Sequence, residues 1–340
     1  MDINQIDLRA KLVSAASKIV NPEEAAYFAD ELIETHLRKS NVSNPLKQGI
    51  GDLEACIQHK ATDIEYSVDL PAYKAINFRS HGPLPYIKRI HDDLETRAQK
   101  CGIAMTAFTN SQSMHTLHNW VQGLAKRGLV ALAVCNGGPA AVVPHNGTKG
   151  VFGTNPLAYG FTDADGSIHC VDMATSEVAY FEILNAKAEG RPLAENVAVN
   201  DQGEPTTDPT AALDYSLSHS DPIANLLPLG GGYKGQHLIY LLEMLTSGLI
   251  GAKSSPEMSA DYVAEEHGSF LLVFHPGAMG TTNTLHASIK HTHNTLEAQT
   301  PKTGHQITLP GQGNNERYAA TKEQPISVDE TLLNRLNKLL

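Results

Sequence analysis

Residues 228–235 read PLGGGYKG and lead directly into a leucine-rich helical pattern from His237 to about Leu249. Such a junction can do one kind of chemistry well. The first N–H groups of a helix have no intrahelical acceptor and carry the positive end of its dipole, so they attract anions. Glycines let a phosphate reach the backbone, and Lys234 adds a mobile positive charge at the same mouth. A phosphate-bearing cofactor is the reading this predicts; a glycine-rich turn with a solvated lysine is the alternative the local sequence leaves open. Gly230, Gly232 and Gly235 also satisfy G-x-G-x-x-G. The dinucleotide fingerprint of that form needs a buried strand before the glycines and an acid about 20 residues later. Here Pro228 adjoins the turn and the helix runs on into GAKSSPEMS, so the fingerprint is rejected while the anion site is kept.

Other chemistry-bearing residues are less organised. Cys56, Cys101, Cys135 and Cys170 are scattered without a C-x-x-C pair, which argues against a zinc site and against a disulfide framework. Cys135 and Cys170 lie in apolar stretches and read as small buried hydrophobes. His286, His291 and His293 could share a strand face, but no acid or cysteine completes a metal set, and a polar surface segment is expected, with no metal.

The elements that must position these residues are legible in part. Asn21-Pro22 with Glu24 announces a helix carrying Ala26, Ala29, Ile33 and Leu37. A helix is predicted over 85–100, stopped by Gly102, with IAMTAF following as a strand. The same grammar repeats, with Trp120 and Leu124, then Gly128, then LVALAVC. Helix, glycine and strand twice over predict an α/β layer packing. Further strands are expected at 168–173 and 269–274, and NDQGEPTTDP at 200–209 reads as a surface loop. At the tail, Ser327 with Glu330 predicts a capped helix burying Leu332, Leu333, Leu336 and Leu340.

A length of 340 residues suggests two domains or one large core with a subsidiary one. A formal charge of −11 gives no electrostatic footprint for nucleic acid or an anionic membrane. No apolar run approaches 18 residues, and the first residues, MDINQIDLRAKLV, carry charges where a signal peptide needs an apolar stretch. A cytoplasmic protein is the simplest expectation.

Five motifs then occur in order: FGTNPLAYG from Phe152, VDMATS from Val171, GEPTTDP from Gly203, LPLGGGYKG from Leu227 and LPGQGNNER from Leu309. Together they resemble the non-Rossmann malate/L-lactate dehydrogenase family, whose members include ureidoglycolate dehydrogenase, diketogulonate reductase, sulfolactate dehydrogenase and piperideine-2-carboxylate/pyrroline-2-carboxylate reductases. The likeness is clear from about Ala131 to Ala252 and traceable at both ends. It implies a helical substrate and dimer domain made from 1–75 with 290–340, and an α/β NAD(P)-binding domain at 76–289. It also implies a homodimer, NADH or NADPH as hydride carrier, and a small carboxylate substrate. The family's cofactor contacts fall on Val171, Asp172, Met173, Ala174, Thr175 and Ser176, on Tyr233 and Lys234, and on Gly311, Gln312 and Gly313. Thr154 and Asn155 would line the substrate cleft.

Hydride transfer to a carbon beside a carboxylate needs a proton donor for the oxygen or nitrogen left behind. Relatives carry a Ser-His-Gly motif near the end of an N-terminal helix; the corresponding residues here are Val42, Ser43 and Asn44, with Lys47 where an arginine would bind the substrate carboxylate. A later His-Phe-Gly motif is altered too, with Ser113 at the histidine place. The literal Ser80-His81-Gly82 corresponds by order to a different segment and reads as coincidental. A serine hydroxyl is a poor general acid at neutral pH, whereas histidine titrates in the useful range. His115 or His118 could supply the proton, Ser43 could relay it through water, or the substrate could be a cyclic imine that arrives protonated. The expected function is reduction of a 2-oxo acid to a 2-hydroxy acid, or of the matching cyclic imine carboxylate, with Ser43, Lys47 and His115 in the chemistry. The rival is a non-catalytic nucleotide-binding protein on the same scaffold.

Overall fold

The computed structural model describes residues 1–39, 44–58, 64–215, 222–260 and 266–340. A two-residue strand β1 (Asp2–Ile3) is followed by α1 (Gln5–Ala16), α2 (Pro22–Arg38) and α3 (Pro45–Gln58). The α2 start is the one its residues announce. Asn21 Oδ1 accepts from Glu24 N at 3.0 Å, Asn21 N donates to Glu24 Oε2 at 3.3 Å, and Pro22 occupies the first turn.

Strands β2 (Glu65–Leu70) and β3 (Tyr73–His81) form an antiparallel pair. A short 3-10 turn at Leu84–Tyr86 then opens α4 (Ile87–Cys101). Gly102, at φ 78°, ends that helix and releases β4 (Ile103–Ser111). After α5 (His118–Ala125), Gly128 takes φ 76° before β5 (Val130–Cys135). Both turns need the left-handed region that glycine enters without a Cβ penalty.

The chain continues through β6 (Leu157–Thr162), β7 (Ile168–Met173), α6 (Tyr180–Glu189), β8 (Leu213–Asp214) and β9 (Ile223–Ala224). Next come α7 (Tyr233–Thr246), α8 (Ser255–Ala260), β10 (His267–Phe274), α9 (Thr282–Glu297), α10 (Gln312–Thr321), β11 (Ile326–Ser327) and α11 (Glu330–Lys338).

Seven strands make one sheet in the order β2-β3-β4-β10-β5-β6-β7. Only β3 and β4 run parallel; the other neighbours are antiparallel. One buried cluster joins α1–α5 and α11 to the sheet through Phe28, Leu53, Phe78, Phe108, Trp120 and Leu336. A second, smaller cluster packs Leu242 of α7 against Val134 of β5 and Phe270 of β10. Helices therefore cover both faces, as an α/β layer packing requires. The boundary expected at residue 76 falls inside β3, and the shared core runs across it.

Two local expectations are corrected. Ser327 does not cap the last helix, because Ile326 and Ser327 pair with Ile3 and Asp2; Asp329 is the cap and accepts from Leu332 N at 3.2 Å. His286, His291 and His293 lie on α9, not on a strand, and spacings of two residues point to different helix faces. Leu332, Leu333 and Leu336 of α11 are buried, each contributing about 1.5–3 kcal/mol.

Candidate active site

The segment VDMATS begins as the last strand of the sheet and leaves it between two other loops. Thr175 N donates to Thr154 O at 3.0 Å, while Leu229 N donates to Thr175 O at 2.9 Å. Ser176 pairs with Pro228, and Glu177 N donates to Leu227 O at 2.9 Å. Backbone pairing therefore brings 152–155, 174–177 and 227–229 together, three segments singled out separately in the sequence.

The side chains there have mixed duties. Thr175 is fully buried and its hydroxyl donates to Asn155 O at 3.0 Å. The Ser176 hydroxyl donates to Val178 O at 2.7 Å. Both hydroxyls brace the bend, leaving its exposed parts, such as Met173, to meet a ligand. Asn155 corrects an expectation outright. It is fully buried, its Oδ1 accepts from Gly137 N at 2.9 Å, and its Nδ2 donates to Glu243 Oε2 at 2.7 Å, so it does not line a cleft. Thr154 is half-buried beside it.

Helix α7 starts at Tyr233, four residues earlier than its leucines suggest. No side chain caps it, so its first N–H groups remain available to an anion. Gly230 takes φ 74°, and a Cβ there would meet nothing within 4 Å. Gly235 has the opposite reason: a Cβ would lie 2.0 Å from Leu229 O, so only glycine lets the helix start against the turn. Lys234 and Tyr233 are exposed, and no carboxylate pairs with Lys234 among the described residues. Open space, uncapped amides and an unpaired cation fit a phosphate group.

The third predicted contact meets β7 nearer its start. Gly311 packs so tightly that a Cβ would lie 2.9 Å from Cys170 N, and Asn315 Nδ2 donates to Ile168 O at 2.8 Å. Arg38 Nη1 in turn donates to Asn315 Oδ1 at 2.6 Å, tying the turn to the end of α2. Gln312 is occupied within its own turn, accepting from Leu309 N, while a Cβ at Gly313 would meet open space.

The residues expected to handle protons divide sharply. Ser43 lies outside the described residues. Lys47 is exposed in the first turn of α3. His115 is three-quarters buried, and its Nε2 lies 2.7 Å from Oδ1 of the fully buried Asp52 on α3. Its neighbour Thr116 donates through N and Oγ1 to Gln48 Oε1, at 3.2 and 2.7 Å. Three residues on, His118 N donates to Asp172 Oδ2 at 3.2 Å, and Lys39 Nζ pairs with the same oxygen at 3.3 Å. The 113–118 loop thus bridges α3, which also carries Lys47, and the end of β7.

His118 is unsuited to acid catalysis. Burial, with the charges of Lys39 and Arg38, pushes it down to about 3, and its Nε2 lies 3.1 Å from Gln122 Oε1. An unfolded histidine binds its proton near pH 6.5, as does an ordinary one. Below that pH the unfolded chain takes up a proton the folded chain refuses, so His118 stabilises the fold at neutral pH and loses that contribution on acidification. His118→Gln should flatten the fall in urea-denaturation free energy below about pH 6.5; slopes equal to the parent's would contradict this.

Asp52, Gln48 and Lys39 went unnoticed in the sequence. Their signal was present, since Gln48 and Asp52 are four apart and so share one helical face beside Lys47. Glu243 was also missed: a lone acid among leucines, buried and bonded to Asn136, Asn155 and Ser255. Among the described residues no cluster of histidine, cysteine or acids could hold a metal, and no helix is long and apolar enough to cross a membrane.

Comparison with known proteins shows the family. The family model for malate/L-lactate dehydrogenase matches residues 7–337. A Delta(1)-pyrroline-2-carboxylate/Delta(1)-piperideine-2-carboxylate reductase of Pseudomonas putida is 33% identical over 237 residues, covering 69% of this chain and 57% of the relative. Ureidoglycolate dehydrogenase (NAD(+)) of Escherichia coli O157:H7 is 28% identical over 232 residues, covering 66% of this chain and 63% of the relative. In both matches the chain spans less than two thirds of the relative's own length. The crystal structure of delta1-piperideine-2-carboxylate reductase from Pseudomonas syringae pvar. tomato aligns over 100% of both chains, with a TM-score of 0.78 and 25% identity. With its sheet, its glycine-rich helix mouth and the family model spanning nearly its whole length, this chain belongs to the malate/L-lactate dehydrogenase family.

Proposed function

We propose that the protein is an NAD(P)H-dependent oxidoreductase that reduces a small 2-oxo acid to the 2-hydroxy acid, or a cyclic imine carboxylate to the cyclic amino acid. The carrying observation is convergence: the VDMATS bend, the Leu227–Lys234 turn and the Gly311 turn all meet along β7 and its continuation. The names of the relatives, a pyrroline/piperideine-carboxylate reductase and an NAD(+) dehydrogenase, support the same reading.

A bound nicotinamide cofactor would supply the hydride. In this reading the uncapped start of α7 and Lys234 hold its phosphates, with the exposed parts of the Val171–Ser176 bend, Tyr233 and the Gly311–Gly313 turn along its length. Lys47 holds the substrate carboxylate as a point charge, without the bidentate fork of arginine. His115 gives a proton to the oxygen or nitrogen as the adjoining carbon is reduced, and solvent returns it. A homodimer is part of the same reading. Helix α9 buries only Ile289, which leaves it without the packed face an ordered helix ordinarily has, and α10 meets the core through the half-buried Tyr318 alone.

The test is oxidation of NADH and NADPH in the presence of pyruvate, oxaloacetate, oxidised ureidoglycolate and piperideine-2-carboxylate. Turnover of one of them supports the reading; none, with cofactor binding intact, favours a non-catalytic nucleotide-binding protein. Lys234→Ala should weaken cofactor binding about tenfold, roughly the loss of one charge-assisted contact, with no change in thermal stability. An unchanged dissociation constant by fluorescence titration would remove Lys234 from the site.

A further inference from the structure

We propose that Asp52 is a positioning residue that fixes the tautomer of His115 and holds its proton for donation, an inference that rests on the reduction reading above. The chain lacks histidine at the two places where its resemblance leads one to seek it, and the geometry supplies a substitute built across α3 and the loop after β4.

Asp52 is fully buried, and its two oxygens have separate tasks. Oδ2 accepts from Leu84 N at 3.2 Å, and Oδ1 lies 2.7 Å from His115 Nε2. Among the described residues no lysine or arginine pairs with this carboxylate; the imidazole is its one ion-pair partner. A buried carboxylate bonded to one ring nitrogen holds the imidazole in one tautomer and one orientation.

The surroundings are shaped to this pair. A Cβ on Gly82 would lie 2.3 Å from Asp52 Cγ and 2.6 Å from Oδ2, so Gly82, just past the end of β3 in the Ser80-His81-Gly82 segment, makes room for the carboxylate. That gives a reason for a motif that read as coincidental. Gln48, one turn before Asp52, pins Thr116, while the Ser113 hydroxyl accepts from His115 N at 3.1 Å. Four of the seven non-glycine residues with positive φ among the described residues lie at the ends of β3 and β4 or in the loop that follows β4: Arg79, Ser80, Asn110 and His115. His115 itself is held at φ 58°, and strain of this kind persists where surrounding contacts over-determine a conformation.

With Nε2 engaged by Asp52, Nδ1 is the nitrogen left for substrate. The imidazolium gives its Nδ1 proton to the substrate oxygen or nitrogen while the adjoining carbon takes up the hydride. His115 then stands neutral with Nε2–H on Asp52, solvent reprotonates Nδ1, and Asp52 stays ionised throughout.

The deciding variant is Asp52→Asn in the full chain, with folding checked by circular dichroism and His115 ring signals assigned through His115→Gln. Nitrogen-15 spectra at alkaline pH should show the Nε2–H tautomer in the parent and a shift toward Nδ1–H in the variant, because the asparagine amide can donate to Nε2. The variant's kcat should fall about 10–100-fold, the usual cost of losing a partner that orients a functional histidine, with KM and cofactor affinity nearly unchanged. The same tautomer in both proteins, or a kcat within about threefold of the parent's, would overturn the proposal. If Asp52→Asn does not fold, the parent spectrum decides: a locked Nε2–H supports the pair, and an averaged mixture overturns it. A parent inactive on every substrate would instead overturn the reduction reading and the proton role with it, and is told apart by the parent's own silence.

Discussion

Replacing Glu243 with leucine is expected to destabilise the fold by about 3–5 kcal/mol, the cost of breaking a buried polar cluster on one side. The carboxylate is almost fully buried in the last turn of α7. It accepts from Asn136 Nδ2 at 3.1 Å, Asn155 Nδ2 at 2.7 Å, Ser255 N at 2.5 Å and Ser255 Oγ at 2.9 Å. These neutral donors stand in for water, and leucine would leave all of them facing hydrocarbon. Glu243→Gln should lose less, since one acceptor oxygen remains while the new amide opposes a donor. Urea denaturation measures both; a leucine variant within about 1 kcal/mol of the parent would show that the cluster relaxes or hydrates freely. Because Asn155 and the adjoining Thr154 are the residues bonded to Thr175, cofactor affinity should drop along with stability.

The second large effect concerns catalysis. His115→Ala is expected to lower kcat on the order of 10²–10⁴-fold, the usual contribution of a positioned general acid. The loss should appear equally in kcat and kcat/KM, since a proton donor acts in the transition state and not in substrate binding. Cofactor affinity should stay unchanged because the ring faces α3 and not the helix mouth of α7. Lys47→Ala should show the complementary pattern, a raised KM with a smaller change in kcat. If His115→Ala turns over within about threefold of the parent, the proton comes from elsewhere, and Ser43 becomes the first residue to examine.

The elements around the site were legible to different degrees, for physical reasons. Helices α2 and α4 and strands β4, β5 and β7 could be read because apolar periodicity and flanking caps or glycines are local signals. Sheet order could not be read: β10 inserts between β4 and β5 from more than 130 residues away, and only packing decides such pairings. The glycine-rich start of α7, the proposed anion site, was legible because glycines, a lysine and a helix start are local signals. Thr175, Ser176 and Asn155 looked like ligand donors because the sequence does not reveal which carbonyls or carboxylates lie opposite them. Their partners are 2 to 88 residues away. The helical spacing of Gln48 and Asp52 was there to be read, but not the pairing of Asp52 with His115, 63 residues away.

Crystals grown with NADPH or NADH test the central claim most directly. The account predicts a dinucleotide lying from the uncapped start of α7 along the VDMATS bend, with Lys234 on its phosphates and the nicotinamide turned toward His115. A cofactor bound elsewhere, or a helix mouth filled by the protein's own side chains, would contradict it.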